Sequence, residues 1–477
     1  MSCKFFPKRI YYKKDFNFEV FFMQTQFDTY FSSLKGQRIA VLGLGVSNRP
    51  LVRLLLQYGC TVVGCDRTPR EKLDAEVLEL EAQGCRLRVG DGYLDGLEAD
   101  LVFRTPGMHP ENPALVKLRE NGAKVTSEMQ VFFALCPCKL IAVTGSDGKT
   151  TTTTLISEML KAAGKTVWLG GNIGTPLLSL TPQMKETDFA VVELSSFQLM
   201  DMTRSPQIAV ITNLAPNHLD VHKDMEEYVW AKQNIYRYQT ADDKLIVNLD
   251  NAITAPLTGP GKTRYFARLG KTDNGACMDG TQIVRDGRTV LDSRDIAIPG
   301  VHNIENYMAA ILAVEGLVPD SVVETVAKTF GGVEHRIELV RNKDGVRFYN
   351  DSIASSPSRT IAGLNSFTQK VMLIAGGYDK QIPFDVMGPY VCRSVSRLYL
   401  NGATAQKIRD AVIGCPDYKP GNPEIIDCTD FTDAVKKAAA DAKSGDIVLM
   451  SPACAAFDQF KNFMERGNYF KRLVEEL

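Results

Sequence analysis

Short apolar, β-branched runs alternate with amphipathic stretches along almost the whole of this chain, and few folds accept that alternation. Strand, helix, strand units cover both faces of a parallel sheet, so the expected class is α/β. Arg38 to Leu42, Thr61 to Cys65 and Leu101 to Phe103 read as strands. A glycine turn follows the first, then a helix with Leu51, Leu54 and Leu55 on one face, which predicts a Rossmann-like domain over 36–137. A second series (Lys139 onward, Phe189 to Glu193, Ile208 to Thr212, Lys244 to Asn248) predicts a central P-loop α/β domain over 138–332. After the Gly331-Gly332 pair, Val346 to Asn350, Val371 to Ala375 and Ile447 to Met450 predict a Rossmann-like C-terminal domain over 333–477. Three domains suit 477 residues. Residues 1–35 begin basic and aromatic, without the apolar core of a signal peptide, and a loosely ordered extension is expected there. Residues before Met23 are expected to add nothing to activity.

Several functions are disfavoured at once. A formal net charge of −1 supplies no field for nucleic acid or an anionic membrane, and no uncharged apolar run approaches the ~20 residues of a membrane span. The eleven cysteines are scattered, and Cys136-Pro137-Cys138 is one residue short of a CxxC pair with no second pair, so they read as buried reduced thiols of a cytoplasmic protein. Small-molecule ligands and a monomer are expected, because a cleft can be built within one chain.

The sharpest local signal is IAVTGSDGKTTTTT at 141–154. A β-branched strand runs into a turn of Gly145, Ser146, Asp147 and Gly148, and Lys149, Thr150 and Thr151 then open a helix. Small residues let backbone N–H groups wrap phosphate oxygens, the lysine neutralises them, and the Thr150 hydroxyl can ligate Mg²⁺. The standard pattern has a glycine where this chain has Val143, so a plain strand-to-helix turn with a solvent-facing lysine stays open. Earlier, VLGLGVSN at 41–48 puts Asn48 where a dinucleotide fingerprint has its third glycine, and Asp66 ends the next strand. That turn suits a nicotinamide cofactor or any other diphosphate, but no hydride-transfer residues accompany it.

Further strings join the phosphate loop: GGNIGTPL at 170–177, VVELSSFQL at 191–199, TNLAPNHLDVH at 212–222, WAKQNIY at 230–236, NDSIASSP at 350–357, AGGYDK at 375–380 and SPACAAFDQFKNFMERG at 451–467. Together, and in this order, they resemble the Mur ligase family, from about residue 36 to the end. The resemblance implies that ATP activates the carboxylate of UDP-N-acetylmuramoyl-L-alanine as an acyl phosphate, which the amine of D-glutamate attacks. It implies catalytic roles for Lys149, Glu193, His218 and Lys232, and two Mg²⁺ sites drawing on Thr150, Glu193, His218 and Lys232. In the family the lysine matching Lys232 carries a carbamate; read as a residue, it is a solvent-facing lysine on an amphipathic helix. His222 and Asp220 read as loop polar groups. For ATP the resemblance adds Asn306, Arg336 and Asp351 to the loop. For the UDP-sugar it points to Gly45, Val46, Ser47, Asp66, Arg67, Asn172 and Ser196, and for D-glutamate to Ser355, Lys380 and Phe463. Two departures bear on the amino acid: Ile353 stands where the family carries lysine, and Ala456 where it carries serine. A ligase for another amino acid, and a nucleotide-sugar-binding protein without catalysis, are the competing readings.

Overall fold

The structure, a computed structural model, describes residues 18–217 and 221–477. It forms two compact units: one of the residues up to 149 with 160–265 and 312–315, the other of 150–159, 266–311 and 316–477.

The first unit holds one five-stranded parallel sheet and the parallel strands of a second sheet. β1 (Arg38–Leu42), β2 (Thr61–Asp66), β3 (Arg86–Val89), β4 (Leu101–Phe103) and β5 (Lys124–Thr126) lie in the order β3-β2-β1-β4-β5. Val41, Leu42, Val62 and Phe103 are wholly buried, because helices cover both faces of a parallel sheet and its strands need apolar side chains on either side. Strand order reverses between β1 and β4, and the crevice at their carboxyl ends is where an open α/β sheet receives ligands. In the second sheet, β6 (Lys139–Thr144), β7 (Val167–Gly171), β8 (Phe189–Glu193), β9 (Ile208–Ile211) and β10 (Lys244–Asn248) run β10-β9-β6-β8-β7. β6 pairs in parallel with both β8 and β9, so the phosphate loop leaves the sheet at its reversal point.

A buried ion pair ties these two layers together. The Arg104 guanidinium, after β4, donates Nε and Nη2 to the Asp201 carboxylate at 3.0 and 2.7 Å, and also reaches the carbonyls of Met108 and Phe197.

The loose extension expected before residue 36 is corrected here. A helix spans Phe18–Ser33, and Phe27, Phe31 and Leu34 are buried, with Phe31 against Tyr58 at 5.4 Å between ring centroids. Aromatic residues four apart share one helix face, and that face packs against Tyr58 and the turn Leu178–Gln183. Truncation at Met23 would therefore cut into a helix. Residues 1–17 lie outside the described chain.

The second unit contains the middle of the phosphate helix and the C-terminal layers. After β11 (Lys262–Ala267), β12 (Gly275–Asp279), β13 (Gln282–Arg285) and β14 (Arg288–Asp292) form an antiparallel meander. The last sheet is built from β15 (Glu338–Lys343), β16 (Val346–Asn350), β17 (Val371–Ala375), β18 (Val395–Leu400), β19 (Glu424–Asp427) and β20 (Ile447–Met450), ordered β15-β16-β20-β17-β18-β19. β16, β20 and β17 are parallel neighbours, so NDSIASS, SPACAA and AGGYDK all leave the sheet at the same edge. Among the described residues no helix is long and apolar enough to cross a membrane.

Candidate active site

The phosphate loop is held by the end of β9. The Ser146 N–H donates to Asn213 O at 2.9 Å, the Asp147 N–H to Asn213 Oδ1 at 3.0 Å, and Thr212 Oγ1 to Asp147 O at 2.5 Å. Gly145 has φ +148°, and a Cβ there would fall 1.9 Å from Thr212 Oγ1, so only glycine fits. The Lys149 ammonium folds over the turn and donates to the carbonyls of Gly145 (3.0 Å) and Ser146 (2.9 Å). Thr150 and Thr151 follow as the first residues of the helix Lys149–Ala162, whose Leu155, Ile156, Met159 and Leu160 are wholly buried, as their spacing predicts.

Lys232 belongs to the same place. It sits on the helix Met225–Arg237, only 2% exposed, and its Nζ donates to Thr144 Oγ1 and Gly145 O, both at 3.0 Å. Two lysines thus converge on one carbonyl. Burial pushes the Lys232 amine well below the ordinary lysine range, the Lys149 charge pushes it the same way, and Glu193 only partly offsets them. The solvent-facing reading of this lysine is excluded.

Glu193 ends β8 and is 2% exposed. Asn172 brackets it, its side-chain amide donating to Glu193 Oε1 at 2.8 Å and its backbone N–H to Glu193 O at 2.8 Å. Asn172, predicted to touch the sugar nucleotide, therefore orients the carboxylate. His218 and Asp220 fall outside the described residues. His222 does not behave as a loop polar group: it is buried, stacks on Phe197 and meets Ser196 Oγ at 2.9 Å through Nε2. Among the described residues, no group of three or more His, Cys, Asp or Glu side chains is arranged to hold a metal ion.

The first glycine turn is closed from within. Asn48 is buried and its side-chain amide donates to the carbonyls of Leu42 and Gly43 at 3.1 and 2.9 Å. Burial works against ionising Asp66, yet the N–H groups of Leu44 and Thr68, donating to its two oxygens, hold its pKa below the ordinary value. Gly45 has open space around it, and Val46 and Arg67 are exposed. Ser47 and Asn48 line a small cavity with Arg104, Ser127, Glu128 and Gln198. Glu128 accepts the Leu178 N–H at 3.0 Å, and burial raises its carboxyl to about 7.

In the second unit, Asn306 is buried and already engaged, accepting from Thr152 Oγ1 of the phosphate helix at 3.2 Å and donating to Asn303 Oδ1 at 2.9 Å. Arg336 is exposed, between His335 (φ +63°) and Ile337 (φ +45°). A β-branched residue at positive φ is strained, and such strain concentrates at working sites. Asp351 is buried, accepts from Ser451 Oγ at 2.7 Å and the Ile337 N–H at 3.3 Å, and is raised by burial to about 7. Ser355 is half-buried after β16, Phe463 packs edge-on against His335 with centroids 5.9 Å apart, and Lys380 is exposed after β17.

Comparison with known proteins accounts for this arrangement. A model of the Mur ligase middle domain matches residues 143–314, and one of the Mur ligase glutamate ligase domain matches 335–454. The UDP-N-acetylmuramoylalanine–D-glutamate ligase of Acetivibrio thermocellus is 51% identical over 464 residues, covering 95% of this chain and 100% of the relative. The chain belongs to the Mur ligase family. A Clostridium botulinum ligase of the same name is 48% identical over 458 residues, with the same coverage. The crystal structure of a UDP-N-acetylmuramate–alanine ligase from Thermotoga maritima matches 92% of this chain and 99% of its own, with a TM-score of 0.56 at 17% identity, so that likeness carries the Mur ligase fold alone.

Asn48 and Arg466 are the structural residues that reasoning from sequence missed. Asn48 carried a signal, a polar residue in a glycine's place. Arg466 had none beyond its position in ERG.

Proposed function

We propose that this chain uses ATP to join D-glutamate to the alanyl carboxylate of UDP-N-acetylmuramoyl-L-alanine, a step of peptidoglycan precursor synthesis, as a cytoplasmic monomer. The observation that carries the reading is Lys232, buried with its Nζ 3.0 Å from Gly145 O of the phosphate loop. Relatives named for this activity match along their whole length. The three domains are taken to meet near residues 137 and 332.

A free carboxylate is a poor electrophile. Transfer of the terminal ATP phosphoryl to it supplies a leaving group, the amine of D-glutamate adds to the carbonyl, and phosphate departs as the amide forms. The residues 145–151 wrap the ATP phosphates, and Lys149 leaves its loop carbonyls to follow the charge of the moving phosphoryl. Asn306, Arg336 and Asp351 are assigned to ATP as well; the buried first and third act through their hydrogen-bonded neighbours. Gly45, Val46, Ser47, Asp66, Arg67, Asn172 and Ser196 form the sugar-nucleotide side, and Ser355, Lys380 and Phe463 the amino-acid side.

Mg²⁺, when bound, neutralises phosphoryl charge. Thr150, Glu193, His218 and a carbamate on Lys232 would hold it. Glu193 suits that role, since Asn172 fixes one oxygen of its buried carboxylate, a hard donor for Mg²⁺. The Lys232 environment disfavours the ammonium, and the neutral amine is the form that takes up CO₂.

The test is phosphate release from ATP and Mg²⁺ with UDP-N-acetylmuramoyl-L-alanine, comparing D-glutamate with L-glutamate, L-lysine and no amine. Release that requires D-glutamate, with an amide product of matching mass, supports the reading. Release with another amine assigns a different amino acid and implicates Ile353 and Ala456. No release from folded protein that binds ATP overturns the ligase reading.

A further inference from the structure

Arg466 is 2% exposed, and its guanidinium donates only to neutral oxygens. Nε reaches Ser352 Oγ at 3.0 Å, Nη1 reaches Ala455 O at 3.2 Å, and Nη2 reaches Ser352 O at 2.9 Å and Cys454 O at 3.0 Å. Among the described residues no carboxylate lies within ion-pair distance of it. Burial lowers even this guanidinium to about 10. Asp458 opposes that lowering only from beyond ion-pair distance, a weaker compensation than the buried Arg104 receives from Asp201.

The segments it joins are the reason to keep it. Ser352 lies three residues before Ser355 in the loop after β16, and its hydroxyl donates to Phe463 O at 2.7 Å. Cys454 and Ala455 belong to the loop after β20. Ala455 O also accepts the Tyr378 N–H at 2.9 Å, which ties in the loop after β17 that carries Lys380. A Cβ on Gly377 would lie 2.5 Å from Ala455 O and 3.3 Å from Arg466 Nη1, so that loop packs directly on the junction. One planar fork therefore clamps the loop of Ser355 to the loop after β20 at the start of the helix Phe463–Glu475, and through Ala455 O it reaches the loop of Lys380.

Resting on the proposed ligase reading, we infer that Arg466 is a positioning residue of the amino-acid pocket, which joins the loops after β16 and β20 and gives the pocket a positive charge with no ion-pair partner, selecting an amino acid with two carboxylates. D-Glutamate brings one net negative charge; a neutral analogue such as D-glutamine brings none. Beside a buried guanidinium that difference is worth more than beside an exposed one. Lysine retains the charge and loses the fork, whereas methionine loses both.

The experiment measures steady-state phosphate release by the full-length chain and its Arg466→Met, Arg466→Lys and Ser352→Ala variants, each checked by circular dichroism. In Arg466→Met the KM for D-glutamate is expected to rise about 30-fold or more, with the KM values for ATP and sugar nucleotide within about threefold. The preference for D-glutamate over D-glutamine is expected to shrink about tenfold in Arg466→Met and to survive in Arg466→Lys. Ser352→Ala, a small change that removes one acceptor, is expected to raise the same KM about threefold to tenfold. A folded Arg466→Met with unchanged KM and unchanged preference overturns the inference. If that variant does not fold, Arg466→Lys with a lost preference, or Ser352→Ala with all three KM values raised together, overturns it as well. Wild type decides the underlying reading separately. If it turns over only with an uncharged or cationic amine, both proposals fall; if it uses D-glutamate, the variants judge Arg466 alone.

Discussion

The chain builds the same local device twice, a parallel strand, a glycine turn and a helix, and puts the two copies to different uses. After β1 the turn is sealed by its own side chains: Asn48 binds the carbonyls of Leu42 and Gly43, and Asp66 takes the Leu44 N–H. After β6 the turn is braced from a neighbouring strand end and overlaid by two lysines that share the Gly145 carbonyl. The backbone pattern thus licenses an anion cradle, while the surrounding cations decide how much charge it can manage. A turn with no lysine suits a ligand that only binds. A turn with two, one buried with its ammonium disfavoured, suits a group whose charge changes during reaction.

Removing the second lysine should break this contrast most sharply. Lys232→Ala is expected to lower phosphate release by about 10³-fold, while the melting temperature stays close to that of wild type, because the cost of burying the amine is removed together with its two hydrogen bonds. Activity within tenfold of wild type would make Lys232 a structural lysine. Next in size, Gly145→Ala is expected to cost about 3 kcal/mol in urea melts, since its Cβ meets Thr212, whereas Gly45→Ala, with open space, should stay within about 0.5 kcal/mol. Equal costs would mean that the two turns are equally constrained.

The acidic residue beside the first turn sharpens the comparison through pH. Glu128 keeps its proton to about 7 when folded and loses it earlier when unfolded. The folded state therefore binds more protons between those values, and this contribution to stability is full below the unfolded pKa and lost as pH rises through about 7. Wild type should lose ~2 kcal/mol more than Glu128→Gln between about pH 5 and pH 8. Parallel pH profiles for the two proteins would refute the assignment. The smallest effect is expected from Asn48→Ala, about 1 kcal/mol for two hydrogen bonds to carbonyls that water can partly replace. Asn48→Gly should create no NAD binding by fluorescence titration; binding that appears would return the first turn to the dinucleotide readings.

Much of this was legible in advance because it is local. Leu51, Leu54 and Leu55, or Leu155, Ile156 and Met159, declare a buried helix face by spacing alone, and the strands are runs that only a doubly covered sheet can bury. What escaped was the depth of a polar group. Lys232 reads as solvent-facing until the helix Met225–Arg237 turns it onto Gly145, and nothing in GGNIG tells that Asn172 also brackets Glu193. Asn306 and Asp351 are buried among hydrogen-bond partners distant in sequence. The helix Phe18–Ser33 escaped for a related reason, its aromatic face becoming meaningful only once Tyr58 covers it.

The sequence by itself determined the α/β class, the two glycine turns and the order of the strings that mark a Mur ligase, because hydrophobic period and glycine conformation are properties of neighbours along the chain. Tertiary structure alone decided which cations stand where. Lys149 with Lys232 over one carbonyl, Arg104 neutralised by Asp201, and Arg466 left without a carboxylate are each set by residues tens to more than a hundred positions apart. A charge's worth depends on its burial and its partners, and neither is written in the residues beside it.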